Sequence, residues 1–184
     1  GAASTPILVK YASGTMATLN NSGSDDIYNN TSYSTINGTS SSDSIFNGTS
    51  GYNSTINAGY GDDTINNQGD SVFIYAGSGN DSINSGLNSS YGWHVTINGG
   101  YGNDTMTGSN YGDVFQFGNY DDYDVITNYS SNDTIQLTGA YSVYSTAKSG
   151  SDFIIQPSSS SAITLKGAAS TPIKVKYASG TMAT

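Results

Sequence analysis

The sequence predicts an all-β fold assembled from many very short strands and closed by a strand-rich cap. Two observations carry this. From Ile27 to Ile135 an apolar residue recurs about every nine positions, held in a triplet of small polar neighbours such as "TIN". The intervals between triplets are filled with Gly, Asn, Asp and Ser, residues that turn a chain and interrupt helices.

The apolar positions are Ile27, Ile36, Ile45, Ile56, Ile65, Ile74, Ile83, Ile97, Met106, Phe115, Ile126 and Ile135. Most steps are nine residues, with two extra residues before Ile56 and Ile126 and five extra before Ile97. In so short a strand the central side chain faces one way and its two neighbours the other. One inward apolar residue per triplet is therefore expected, with a turn of about six residues to the next triplet. A helix cannot hold a nine-residue period punctuated by Gly, Asn and Asp.

Composition narrows the partners. The net charge is -9, all acidic residues are Asp, Arg and Cys are absent, and the chain has one His. Disulfides and thiolate metal sites are excluded. Nucleic acid and anionic membranes are poor partners for so acidic a chain. No stretch is long and apolar enough to predict membrane insertion. Ile, Leu, Val and Phe make up about 17% of the residues, a share that on its own reads as disorder. The nine-residue beat is the more specific signal and predicts order.

A longer repeat encloses the short one. "GAASTPILVKYASGTMAT" at 1–18 returns as "GAASTPIKVKYASGTMAT" at 167–184, with Leu8 replaced by Lys174. The offset is 166 residues. This reads as one module of a tandem array carrying the tail of the module before it. The expected partners are neighbouring copies, joined covalently in series and assembled in a filament.

Three turns share one phase: "AGYGDDTIN" (58–66), "AGSGNDSIN" (76–84) and "GGYGNDTMT" (99–107). They resemble the nonapeptide G-G-x-G-x-D-x-U-x of the RTX, or haemolysin-type calcium-binding, family. The likeness extends through "YGDVFQFGNYDDYDVITNYSSNDTIQLTG" (111–139), similar to the segment that closes RTX arrays, and into "SGSDFIIQPSSSSAITLKGAA" (149–169), similar to the β-rich tail after them. The resemblance implies a parallel β-roll, a β-solenoid with nine residues per half-coil. It also implies calcium, an extracellular or cell-surface location, and type I secretion from a bacterium.

In such a roll successive turns fall on opposite edges. Edge A carries Asp25, Asp43, Asp63, Asp81, Asp104 and Asp124 at the sixth position of its turns; edge B carries Ser34, Ser54, Val72, Val95, Asp113 and Asp133. Stacked coils lie about 4.8 Å apart, so a column of carboxylates repels itself unless a cation lies between coils. Calcium takes oxygens from carboxylates and carbonyls, and glycines let a turn aim its carbonyls inward. The resemblance places several Ca2+ ions between successive edge-A turns. Asp63 with Asp81, and Asp81 with Asp104, form the principal pairs, with Gly59, Gly61, Gly77, Gly79, Gly100 and Gly102 shaping the turns. Asp43 and Asp124 extend the set, although "GTSSSD" and "NYDDYD" lack the glycines.

The expected layout is a tail strand of the preceding module or linker at 1–18, the calcium-binding roll at 19–138, and a C-terminal β cap and link to the next module at 139–184. "SVYSTA", "DFIIQ", "AITLK" and "PIKVKY" supply the cap strands. No enzymatic constellation stands out. His94 reads as a loop residue beside Trp93, and Asp121 and Asp122 as part of a turn. Tyr60, Tyr101 and Tyr52 lie in turns, where exposed rings stack on sugars or on a neighbouring chain. The predicted function is a non-catalytic, calcium-stabilised structural module of a fibre, surface layer or adhesin stalk. The alternative is an extracellular polysaccharide-binding module, with glycans as partners.

Overall fold

The computed structural model describes residues 7–9, 18–20, 26–85, 94–118, 122–139, 143 and 145–183. Among them there is no helix; they form two sheets wound as a parallel β-solenoid, the predicted class. Sheet A runs β1 (Ile7–Val9), β3 (Asp26–Asn29), β5 (Ser44–Asn47), β7 (Thr64–Asn67), β9 (Ser82–Asn84), β11 (Thr105–Thr107) and β13 (Tyr123–Thr127). Sheet B runs β2 (Thr18–Asn20), β4 (Thr35–Asn37), β6 (Thr55–Tyr60), β8 (Phe73–Ser78), β10 (Thr96–Tyr101), β12 (Val114–Phe117) and β14 (Thr134–Leu137). The chain alternates between sheets, and every one of these strands pairs in parallel with the strand one coil away.

The apolar beat becomes two columns. Ile27, Ile45, Ile65, Ile83, Met106 and Ile126 are in register along sheet A. Ile36, Ile56, Ile74, Ile97, Phe115 and Ile135 are in register along sheet B. All twelve are at most 2% exposed. The registers stay in phase across the irregular steps, so the turns absorb the extra residues and the strands do not shift.

The interior is richer than one residue per half-coil. Strands of four to six residues alternate for a second cycle, and the residue two places on is also buried: Ala58 and Ala76, then Phe117 and Leu137, in sheet B. The core is slender near Ala58 and Ala76 and thick near the C-terminal end.

Both sheets run on past residue 138. Beyond β13, sheet A adds β17 (Ser161–Leu165) in parallel, then β16 (Asp152–Ser158) and β15 (Ser145–Ser149) antiparallel. Beyond β14, sheet B adds β18 (Val175–Tyr177) in parallel and β19 (Met182–Ala183) antiparallel. Ile155, Ile163, Leu165 and Val175 carry the core through this end. At the other end, β1 pairs with β3, so part of the 1–18 segment joins the first coil.

Candidate metal centre

Edge A stacks its sixth-position carboxylates one above another. Asp43, Asp63, Asp81, Asp104 and Asp124 are all buried; Asp25 lies outside the described residues. Oδ1 of each upper Asp accepts a hydrogen bond from the backbone N–H of the Asp one coil below. Asp43 N donates to Asp63 at 2.7 Å, Asp63 N to Asp81 at 2.8 Å, Asp81 N to Asp104 at 2.8 Å and Asp104 N to Asp124 at 2.9 Å. These side-chain bonds add to the backbone bonds between the same coils, in which the carbonyls of Asp43, Asp63, Asp81 and Asp104 accept from Thr64, Ser82, Thr105 and Val125 N–H.

The second oxygen separates two kinds of turn. In "GTSSSD", Asp43 Oδ2 accepts from Thr39 N at 2.6 Å and Thr39 Oγ1 at 3.0 Å. In the glycine turns the equivalent of Thr39 is Gly59 or Gly77, which stays within its strand: Gly59 pairs with Gly77, and Gly77 with Gly100. Its N–H does not reach the carboxylate. Oδ2 of Asp63 and of Asp81 is buried with no hydrogen-bond donor. Asp43, expected as a ligand, is therefore already served by its own turn, whereas Asp63 and Asp81 each leave an oxygen available to a cation.

The glycines make the rest of the cradle. Gly59, Gly61, Gly77, Gly79, Gly100 and Gly102 have φ between 100° and 136°, a region that side chains rarely allow. A Cβ at Gly77 would overlap Gly59 O, and one at Gly79 would overlap Gly61 O. Carbonyls thus stand in two columns directed at the coil above. Among the described residues no three His or Asp side chains form a metal cluster by themselves. The donor set here is two carboxylates and backbone carbonyls, which suits a hard divalent cation.

The electrostatics agree. Burial pushes the Asp63 carboxyl up to about 7, against the pull of its backbone hydrogen bond, with Asp81 and Asp43 adding to the rise. Burial pushes Asp81 up to about 6, and Asp104 adds to it. Two buried carboxylates facing along one column resist ionisation until positive charge lies near.

Edge B is held differently. Asn29 Nδ2 donates to Asn47 Oδ1 at 2.6 Å and Asn47 Nδ2 to Asn67 Oδ1 at 2.7 Å. The same amides also donate to the carbonyls of Thr31 and Gly51. This neutral ladder was missed in the sequence; Asn at 29, 47 and 67, one coil apart, was its signal. Further along, Asp113 accepts from Val95 N and Ser109 N, and Asp133 from Asp113 N and Ser130 N. Both oxygens of each are satisfied by the protein. His94 is exposed, with Nδ1 against Gly112 O; Trp93 and Asp121 lie outside the described residues. On the exposed side of edge A the fifth position forms a second ladder of opposite direction, the upper N–H donating to the lower side chain: Asn80 N donates to Asp62 Oδ1 and Asn103 N to Asn80 Oδ1.

The buried acids set a pH dependence. Asp133 is pushed up to about 6 and Asp113 is raised, both by burial, with His94 pulling Asp113 down. Asp63 and Asp81 shift the same way. The folded chain then binds more protons than the unfolded chain between the ordinary Asp value and about 7, so stability falls as pH rises through that window. In chelator, the melting temperature is expected to drop steadily from pH 4 to pH 7; a rise over that range contradicts the assignment.

No protein-family model and no curated protein matches the chain.

Proposed function

We propose that the chain is a calcium-stabilised structural module of a long, tandemly repeated bacterial protein, secreted or displayed at the cell surface, where copies in series build a fibre, surface layer or adhesin stalk. The single observation that carries this is the pair of buried Asp63 and Asp81 oxygens without donors, stacked beside carbonyl columns. A cation held by the folded state alone stabilises it through linkage, which suits a polar chain with a slender interior. The 166-residue duplication supports service in series. The role is mechanical and not catalytic.

The test is a calcium titration followed by circular dichroism and melting temperature, with electron microscopy of the loaded protein. The reading expects a large upward shift and concentration-dependent filaments; an unchanged melting temperature sinks it.

A second reading, a polysaccharide-binding module, is favoured by the exposed rings of Tyr60 and Tyr101. They are 66% and 57% exposed and lie in register on either side of Ser78. Saturable, sugar-specific binding on a glycan array with no filaments would select it.

A further inference from the structure

The duplicated segment occupies two different places. Val175 of the second copy pairs with Ile135 at the end of sheet B. Its duplicate, Val9, pairs with Asn29 at the start of sheet A. Both pairings are parallel, and both partners, Ile135 and Asn29, are buried. The two pairings are therefore in phase: each sets the same alternate residues of the strand opposite the inward residues of its neighbour. In a solenoid of one hand, β14 lies behind this strand and β3 lies ahead of it, so the two pairings use opposite edges.

The C-terminal end of the solenoid also carries an apolar surface. A groove of about 380 Å³ opens there, lined by Val143, Phe153, Ile155, Ile173, Val175 and Tyr177. Phe153, Ile173 and Tyr177 are only partly buried. Among the described residues, the forward edge of β18 is covered by β19 through the pairs Val175 with Ala183 and Lys176 with Met182, with Tyr177 N donating to Thr181 O beside them, and both β19 residues are exposed.

We propose that strand 173–177 is shared between consecutive copies of the chain, bonded to β14 of its own module on one edge and to β3 of the following copy on the other. This rests on the tandem reading above. β19 gives way, and the first coil of the following copy seats on the apolar groove. Among the described residues sheet A ends antiparallel on β15, so continuity passes through sheet B. Sheet B of each module then runs on into sheet A of the next. The Asp-lined edge consequently changes sides at every joint.

Two disulfides distinguish the arrangements, since the chain has no Cys and neighbouring strands bring Cα atoms within disulfide range. In a chain of two copies sharing the 18-residue segment, Lys174→Cys is combined with Tyr28→Cys of the following copy, because Leu8, the duplicate of Lys174, pairs with Tyr28. A second variant combines Lys176→Cys with Met182→Cys. Mild oxidation is expected to close the first pair and leave the second open; the reverse overturns the proposal. In the unmodified two-copy chain a shared strand gives one unfolding transition above the single-copy midpoint, whereas two copies melting at the single-copy midpoint overturn it. Both measurements are made in chelator and in calcium. Loss of the calcium effect with the first disulfide intact refutes only the cation, and an intact calcium effect without that disulfide refutes only the joint.

Discussion

Asp81→Asn is expected to remove most of the stability that the proposed calcium sites would add. Asp81 faces Asp63 below and Asp104 above, so it borders two intervals of the column. A site filled at a hundred times its Kd contributes about 2.7 kcal/mol, and losing two removes roughly 5 kcal/mol. For a chain of this size each kcal/mol shifts the melting temperature by roughly 2–4 °C, so the calcium-loaded variant should melt roughly 10–20 °C below the parent. Asn keeps an oxygen in place for Asp63 N, so the loss is one of charge and not of packing. In chelator at pH 7 the order should reverse slightly, because the parent alone then holds a buried carboxylate that burial disfavours. Asp133→Asn is the control: both Asp133 oxygens are engaged by backbone N–H groups, and its calcium increment should equal the parent's. Equal increments for all three proteins would remove edge A as the cation site.

Gly77→Ala, like the same change at the other positive-φ glycines of edge A, should be strongly damaging. Gly77 has φ of 118° and sits against Gly59 O of the coil below. Backbone strain of about 1–3 kcal/mol adds to overpacking of about 1–3 kcal/mol, a total of roughly 2–6 kcal/mol. Gly150→Ala separates the two terms. Gly150 also has positive φ, 63°, but nothing lies within 4 Å of its added carbon. It should cost about 1–2 kcal/mol, the left-handed penalty alone. Urea midpoints at unchanged m measure both. If the two variants lose equal stability, the coils are not in contact at Gly77.

The residues that a period can reveal were legible in the sequence. Ile27 to Ile135 lie in the core because a beat of nine places one residue of each triplet inside, and the Asp column follows once turns are sorted by edge. What escaped depends on contacts between coils. Asn29, Asn47 and Asn67 look like ordinary turn residues until the coils are stacked and their amides meet. Asp43, Asp63 and Asp133 carry the same side chain at the same position of a turn. What differs is whether a donor of the turn reaches the second oxygen: Thr39 N and Oγ1 reach it in Asp43 and Ser130 N in Asp133, and none reaches it in Asp63. Phe117 and Leu137 are not marked by the nine-residue beat, because the alternation in their strands runs one cycle beyond the triplet.

The uneven steps have a consequence for how the chain finds its fold. Coils that all looked alike could slide by one whole coil and keep nearly every pairing, a trap to which repetitive strands are prone. Here Ile56 and Ile126 each follow a turn longer by two residues, and Ile97 a turn longer by five, while the columns themselves stay in phase. A slipped chain would lay a long turn over a short one and misalign the amides and carboxylates that bind turn to turn. The insertions therefore act as frame marks, giving each coil its own address in an otherwise repetitive text.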